Sequence, residues 1–336
     1  MSKRSTVYHN DLTIDYDKVC EANRKLVKEF LQYCKSNNRS SQTILQYENW
    51  LKVFFCWNYA ENEDKLFVNL KKRDFVNYFG YLRDLDVSSN RIAALKSVLS
   101  ALSNEIELLY EDEYPTFKNQ LRGLEPVHVT TVREKTVLSN EDLVTILNKL
   151  VEQKEYQAAC YLALVCASGS RKAELIQMKV NFFVPENEVF DGYMYATPLI
   201  RAKGRGKEGK RIKKYVIKEA FKPYFDLWME ERERLGITNE YLFVSTKTKE
   251  AIPATISTAN TLAAKISEVG GVEFYSHSGR HFFATMLKRK NFPDDIVVQI
   301  FSWADSSMIK VYNDISPEEY MQDFFKSFNT KEVKGE

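Results

Sequence analysis

Apolar residues recur at helical spacing through most of the first 120 residues, which predicts a bundle of amphipathic helices. Residues 17–36 place Val19, Leu26, Val27, Phe30, Leu31 and Cys34 on one face. After a break at Asn37-Asn38-Arg39, Ser40 or Ser41 is suited to cap a second helix that carries Ile44, Tyr47, Leu51, Phe54 and Phe55. A third helix is predicted over Lys71–Leu85, and a fourth begins after Ser88-Ser89 and ends before Pro115. Residues 119–136 then lose the helical period. Gly123, Pro126 and the β-branched stretch after them predict an extended linker, set at 121–135 between units 1–120 and 136–336.

The second unit opens at Ser139, where an acid at the third helical position makes a capping signal. Helices are predicted at 140–151 and 155–167. Across 188–217 the pattern changes. Two strand-like segments, YMYATPLIRA and RIKKYVI, flank a Gly-rich basic stretch and predict a hairpin or small antiparallel sheet. Helices return at 219–234, 255–268, 279–290 and 294–303, with Gly270-Gly271 closing one and Pro293 in the first turn of another. The expected fold class is mainly α with a small antiparallel β-sheet (α+β), in two domains.

Composition narrows the classes. With 44% hydrophobic and 28% charged residues in 336, the chain reads as an ordinary globular protein long enough for two domains. The net charge of +2 does not by itself point to nucleic acid, so any anionic partner needs a locally concentrated charge. Cys20, Cys34, Cys56, Cys160 and Cys166 are odd in number, form no C-x-x-C pair and sit in apolar stretches, which fits a reducing cytosol. The N-terminus lacks an apolar signal core, and no run of about 18 apolar residues predicts a membrane span.

The local charge lies between residues 201 and 214. Arg201, Lys203, Arg205, Lys207, Lys210, Arg211, Lys213 and Lys214 are opposed only by Glu208, among three glycines. A phosphate contact and a solvated hairpin tip both fit. Arg171 follows Ala-Ser-Gly-Ser and opens the predicted helix RKAELIQM, with Glu174 one turn on. That arrangement suits an oxyanion site, or an ordinary surface arginine. His277 and Arg280 are three apart, on one helix face. His281 is four from His277, the spacing of a zinc pair, but Ser278 stands where the zinc-protease pattern needs Glu, and no third ligand follows. No metal or other cofactor is predicted. Trp303 precedes Tyr312 by nine residues, and Asp305 or Ser306 suits the cap of a short helix ending there. Tyr312 is one of 19 tyrosines, so position alone leaves a core role open.

Taken in order, these segments resemble the tyrosine recombinase (phage integrase) family, of the Xer, Cre and lambda-integrase kind. ASGSRKAEL is similar to the first-arginine box A-T-G-x-R-x-x-E-L. RAKGRGKEGKR is similar to the hairpin that bears the catalytic lysine, with Lys203 the best match. HSGRHFFAT matches H-x-x-R-H-x-F-A-T, and WADSSMIKVY matches the box in which His or Trp precedes the nucleophile by nine residues. The family's usual Leu-Gly-His is here Phe301-Ser302-Trp303, and a Trp at the last of these places is similar to the Cre recombinase arrangement. An indole donates a hydrogen bond but cannot shuttle a proton.

The resemblance covers nearly the whole chain and implies a helical core-binding domain followed by a catalytic domain. It implies Tyr312 as nucleophile, forming a 3′-phosphotyrosyl bond, with Arg171, Lys203, His277, Arg280 and Trp303 around the phosphate and Glu174 and His281 in support. Arg201, Arg205, Lys207, Lys210 and Arg211 would follow the DNA backbone. The implied partners are double-stranded DNA at a specific site, a homo-tetramer on two duplexes, a monomer without DNA, and room for an accessory directionality factor. The implied setting is the cytoplasm of a bacterial or archaeal cell, with a phage or mobile element as source. A first helix near residue 17 leaves little room for a separate arm-binding domain. The tail, with Tyr320, Met321, Phe324, Phe325 and Phe328 at helical spacing, packs on its own subunit by default or on a neighbour as in the family. A type IB topoisomerase-like enzyme and a catalytically silent DNA-binding paralogue are the alternatives.

Overall fold

A computed structural model of the chain describes residues 15–128, 138–202, 204, 209–248, 250–312, 314–315 and 321. The chain folds as two compact units that meet in sequence between residues 134 and 135.

The first unit is all-helical: α1 (Glu21–Ser36), α2 (Ser41–Glu61), α3 (Lys72–Asp84) and α4 (Ser89–Leu109). Ser40 caps α2 by accepting a hydrogen bond from the Thr43 N–H at 3.2 Å. α1 starts later than its periodicity predicts. Tyr16–Lys18 form a 3-10 turn, and the Cys20 N–H donates to Asp64 at 2.6 Å, which holds the chain out of the helix until residue 21. The core is aromatic. Phe54 on α2 packs edge-on against Tyr78 at 4.9 Å and stacks on Phe75 at 5.9 Å.

The second unit is built on α6 (Tyr156–Ser168), in which every residue from Ala158 to Ser168 is buried. A helix apolar all round belongs in the middle of a fold. Around it pack α5 (Asn140–Glu152), α8 (Lys218–Arg234), α9 (Ile256–Gly270) and α10 (Ser276–Arg289). Ser139 and Asp142 cap α5 reciprocally, as the sequence signal predicts. The single-turn helix α7 (Lys172–Leu175) follows α6, and α11 (Asp294–Phe301) and α12 (Ser307–Tyr312) close the described chain.

Among the described residues seven short strands complete the unit: β1 (Glu188–Val189), β2 (Met194–Ala196), β3 (Ile200–Ala202), β4 (Lys210–Ile212), β5 (Tyr215–Ile217), β6 (Val244–Ser245) and β7 (Ile252–Pro253). All pairings are antiparallel: β1-β2-β5, then β3-β4, then β6-β7. The fold is therefore mainly α with small antiparallel sheets. The β6-β7 pair went unpredicted because two-residue strands are too short to show a period of two. α10 begins at Ser276 rather than 279, which brings His277 inside its first turn. α11 stops at Phe301 because Ser302 adopts a left-handed φ of 53°. Among the described residues no helix is long and apolar enough to cross a membrane.

Candidate active site

Three segments far apart in sequence converge at the C-terminal end of α6. The first is the turn after α6. Gly169 takes φ +56° and directs its carbonyl at Arg280, whose Nη1 donates to it. A Cβ at Gly169 would lie 2.5 Å from the Phe301 ring and 2.8 Å from Phe283, so only glycine fits. Arg171 then caps α7. The Glu174 carboxylate accepts from the Arg171 backbone N–H at 2.8 Å and from its Nη1 at 3.0 Å. Glu174 is buried while Arg171 keeps 28% of its side chain exposed, so the carboxylate anchors a guanidinium that still reaches outward.

The second segment is α10. Gly279 lets it approach α6 closely, since a Cβ there would meet Val165 at 2.7 Å. A hydrogen bond of 2.7 Å between Tyr161 and Ser276 pins its first turn. Arg280 on this helix is fully buried. Burial first, and the Arg171 charge next, bring its pKa down to about 10. His277 lies beside it, its pKa lowered by burial and then by the charges of Arg280, His281 and Arg171. That favours a neutral imidazole, the form able to accept a proton.

The third segment carries the aromatic ladder. Phe301 stacks on Trp303 at 4.3 Å, Trp303 on Tyr312 at 5.4 Å, and Tyr312 on His277 at 6.5 Å. The Arg280 guanidinium faces Phe301 at 4.6 Å, Tyr312 at 5.1 Å and Trp303 at 5.5 Å. His281 lies 4.7 Å from the Tyr312 ring and 3.1 Å from the Asp314 carboxylate. The Thr285 hydroxyl reaches the Tyr312 carbonyl at 3.4 Å and accepts from the Asp314 N–H at 3.0 Å, tying the end of α12 to α10.

Arg171, Glu174, His277, Arg280, His281, Trp303 and Tyr312 thus share one site. Lys203, Arg205 and Lys207 lie outside the described residues. Arg201 and Arg211 are exposed and face each other across β3 and β4. Like charges directly opposite are unfavourable in a sheet unless an anion lies over them. Lys210 reaches the Ser302 carbonyl at 3.5 Å, beside Trp303. Among the described residues no three His, Cys, Asp or Glu side chains gather as a metal site.

Several donors at this site have no hydrogen bond of good geometry, although the Tyr312 hydroxyl lies within reach of the Arg280 guanidinium. Arg280 Nε and Nη2 and Trp303 Nε1 are buried without a hydrogen bond of good geometry. Buried donors are ordinarily paired, so a cluster of unpaired ones marks a place for an anion. Lys214 belongs to the same cluster. The charge run left a phosphate contact and a solvated hairpin tip both open for it; it is 0% exposed, with Nζ 3.9 Å from Glu174 and 5.7 Å from the Phe301 ring. Burial chiefly, opposed by Glu174 and reinforced by Arg280 and Arg171, lowers its pKa to about 7. The signal was available: Ile212, Lys214 and Val216 alternate with exposed or half-buried neighbours, which puts Lys214 on the buried face of a strand-like segment.

A mainly helical fold with small antiparallel sheets and a cluster of cations beside a tyrosine is in keeping with the tyrosine recombinase class. The sequence pattern of the phage integrase family matches residues 136–319, and the chain belongs to that family. It is 34% identical over 236 residues to the SPbeta prophage-derived recombinase-like protein YomM of Bacillus subtilis (strain 168), covering 68% of this chain and 67% of that one. It is 23% identical to tyrosine recombinase XerA of Pyrococcus horikoshii, over 88% of this chain and 90% of the relative. In structure it is similar to a lambda integrase dimer bound to a core site, with a TM-score of 0.64 at 14% identity, covering 87% of this chain and 77% of that one. It is also similar to the Tn1549 transposon integrase in complex with transposon right-end DNA, with a TM-score of 0.63 at 16% identity, covering 90% and 98%.

Proposed function

We propose that the protein is a site-specific DNA recombinase that integrates or excises a mobile element through a 3′-phosphotyrosyl intermediate. The observation that carries this reading is the cluster of buried donors on Arg280 and Trp303, without hydrogen bonds of good geometry, against the ring of Tyr312. In the proposed step the Tyr312 oxygen bonds to the scissile phosphorus and the O5′–P bond breaks. His277 takes the phenol proton, and Lys203 gives a proton to the departing 5′-oxygen. Arg171 and Arg280 hold the non-bridging oxygens as charge grows on them, and the Trp303 N–H adds a donor. Attack by a 5′-hydroxyl of the partner strand reverses the bond changes and reseals the DNA, so no nucleotide enters the balance. Covalent trapping on a nicked duplex carrying a candidate attachment site tests the reading. A wild-type protein that leaves no adduct on any such duplex would sink it.

The prophage-derived relative and the transposon integrase support a mobile-element role. The lambda integrase tetramer on a Holliday junction, similar at a TM-score of 0.63, supports a tetrameric synapse. Residues 1–120 would form the core-binding domain and 136–336 the catalytic domain, gripping duplex DNA together.

Two further outcomes are expected. Lys203→Ala should cut cleavage by about 10²- to 10⁴-fold, the usual contribution of a positioned acid. A 5′-bridging sulfur, which leaves without protonation, should restore the rate; absence of rescue would move the acid role to another residue. Arg211→Ala should weaken duplex binding and reduce the slope of log affinity against log salt by about 0.9, one phosphate contact. An unchanged slope in filter binding would remove Arg211 from the DNA path.

A further inference from the structure

The backbone of Lys214 is clamped between β4 and β5. Its N–H donates to the Thr197 hydroxyl at 3.0 Å, and its carbonyl accepts from the Thr197 N–H at 2.9 Å. The side chain is thereby sent inward. Its ammonium makes no hydrogen bond, and the nearest carboxylate is Glu174 Oε2 at 3.9 Å, an oxygen already accepting the Arg171 N–H. The Phe301 ring that Lys214 faces is the ring that Arg280 faces. One buried carboxylate therefore answers three cations.

Filling this space does not call for a charge. A methionine of similar length would pack there without an unbonded buried ammonium, which is a strongly unfavourable group to bury. The positive excess does match a phosphodiester, most of all in the five-coordinate state where its negative charge increases. We propose that Lys214 is a positioning residue of the phosphate site, a third cation, itself buried, that acts on Glu174 and so holds the Arg171 guanidinium on the scissile phosphate. The inference rests on the strand-cleavage reading and deepens it.

The charge state of Lys214 follows its surroundings. Burial favours the neutral amine, as do Arg280 and Arg171, while Glu174 favours the ammonium, and its pKa stands at about 7. An arriving phosphate adds negative charge and favours the ammonium further. Rising pH removes the cation, so wild-type cleavage acquires an alkaline limb that belongs to Lys214.

The test compares wild type with Lys214→Met on the nicked attachment-site duplex that the wild type cleaves. Single-turnover rates are read from about pH 6 to about pH 10, between the ordinary histidine and lysine titrations. Lys214→Met is expected to cleave about 10²-fold more slowly near neutrality, the effect of a misplaced phosphate ligand, and to lose the limb that begins near pH 7, keeping only the one near pH 10 where Arg280 and an ordinary lysine acid titrate. Thermal unfolding without DNA supplies the second readout. The unfolded lysine binds more protons than the folded one between pH 7 and its ordinary 10.5, so wild-type stability rises across that window. Lys214→Met should show no such rise, with its stability advantage largest at and below pH 7. Cleavage by Lys214→Met at the wild-type rate and with the wild-type profile would overturn the inference. So would a Lys214→Met protein less stable than wild type at neutral pH, which would make the lysine structural. Failure of the wild type itself to form an adduct would instead count against the strand-cleavage reading.

Discussion

Tyr312→Phe protein is expected to bind duplex DNA with near wild-type affinity and to form no covalent adduct at all. The substitution keeps the ring that stacks between Trp303 and His277 and faces Arg280, and it removes only the hydroxyl. Loss of one hydroxyl contact should change stability by about 1 kcal/mol, too little to unfold the unit. The chemical consequence is complete, because the hydroxyl removed is the nucleophile of the proposed step. Denaturing gels of protein incubated with a nicked duplex read the adduct directly, and filter binding reads affinity. A covalent band from Tyr312→Phe would move the nucleophile elsewhere, and a large loss of binding would make the residue a packing element.

Gly169→Ala is expected to damage both stability and cleavage. A methyl group would have to share space with Phe301 and Phe283, whose ring atoms lie 2.5 and 2.8 Å from its ideal position. Both rings are fully buried, so neither can swing aside freely. Overpacking of this kind costs about 1–3 kcal/mol, and the left-handed backbone adds roughly 1 kcal/mol more for alanine. The Gly169 carbonyl also anchors Arg280, so a shift there would displace the proposed phosphate ligand and should slow cleavage by about 10²-fold. Gly236→Ala separates the two causes. Gly236 has φ +67° with nothing within 4 Å of a built Cβ, so only the backbone cost applies there. Urea denaturation of the two variants should differ by the packing cost. Equal destabilisation would show that the Phe301 and Phe283 rings relax without resistance.

Much of this was written locally. Helix-period patterns located the start of α2 and both ends of α3, α5 and α6 to within a residue or two, because each buries one face or is buried entirely. Boundaries failed where a long-range contact decided them. Asp64 delays α1 by holding the Cys20 N–H, and Tyr275 caps α10 three residues before the apolar pattern suggests. The order and spacing of the Arg171, His277/Arg280 and Trp303/Tyr312 segments were legible in the sequence; their convergence was not, since it depends on packing at two glycines. Gly169 accepts Arg280 beneath Phe301, and Gly279 seats α10 against Val165.

Lys214 marks the boundary between the two kinds of information. By itself, the sequence determined residue types, the order of elements, and an alternation in Ile212, Lys214 and Val216 that faces the lysine inward. Only the tertiary structure decided that Glu174, Arg280 and Phe301 surround that inward position. Charge runs are read along the chain as if every member met water. Burial is a property of what packs on top, and it converts one lysine of a basic hairpin into a buried cation beside Glu174 and Arg280.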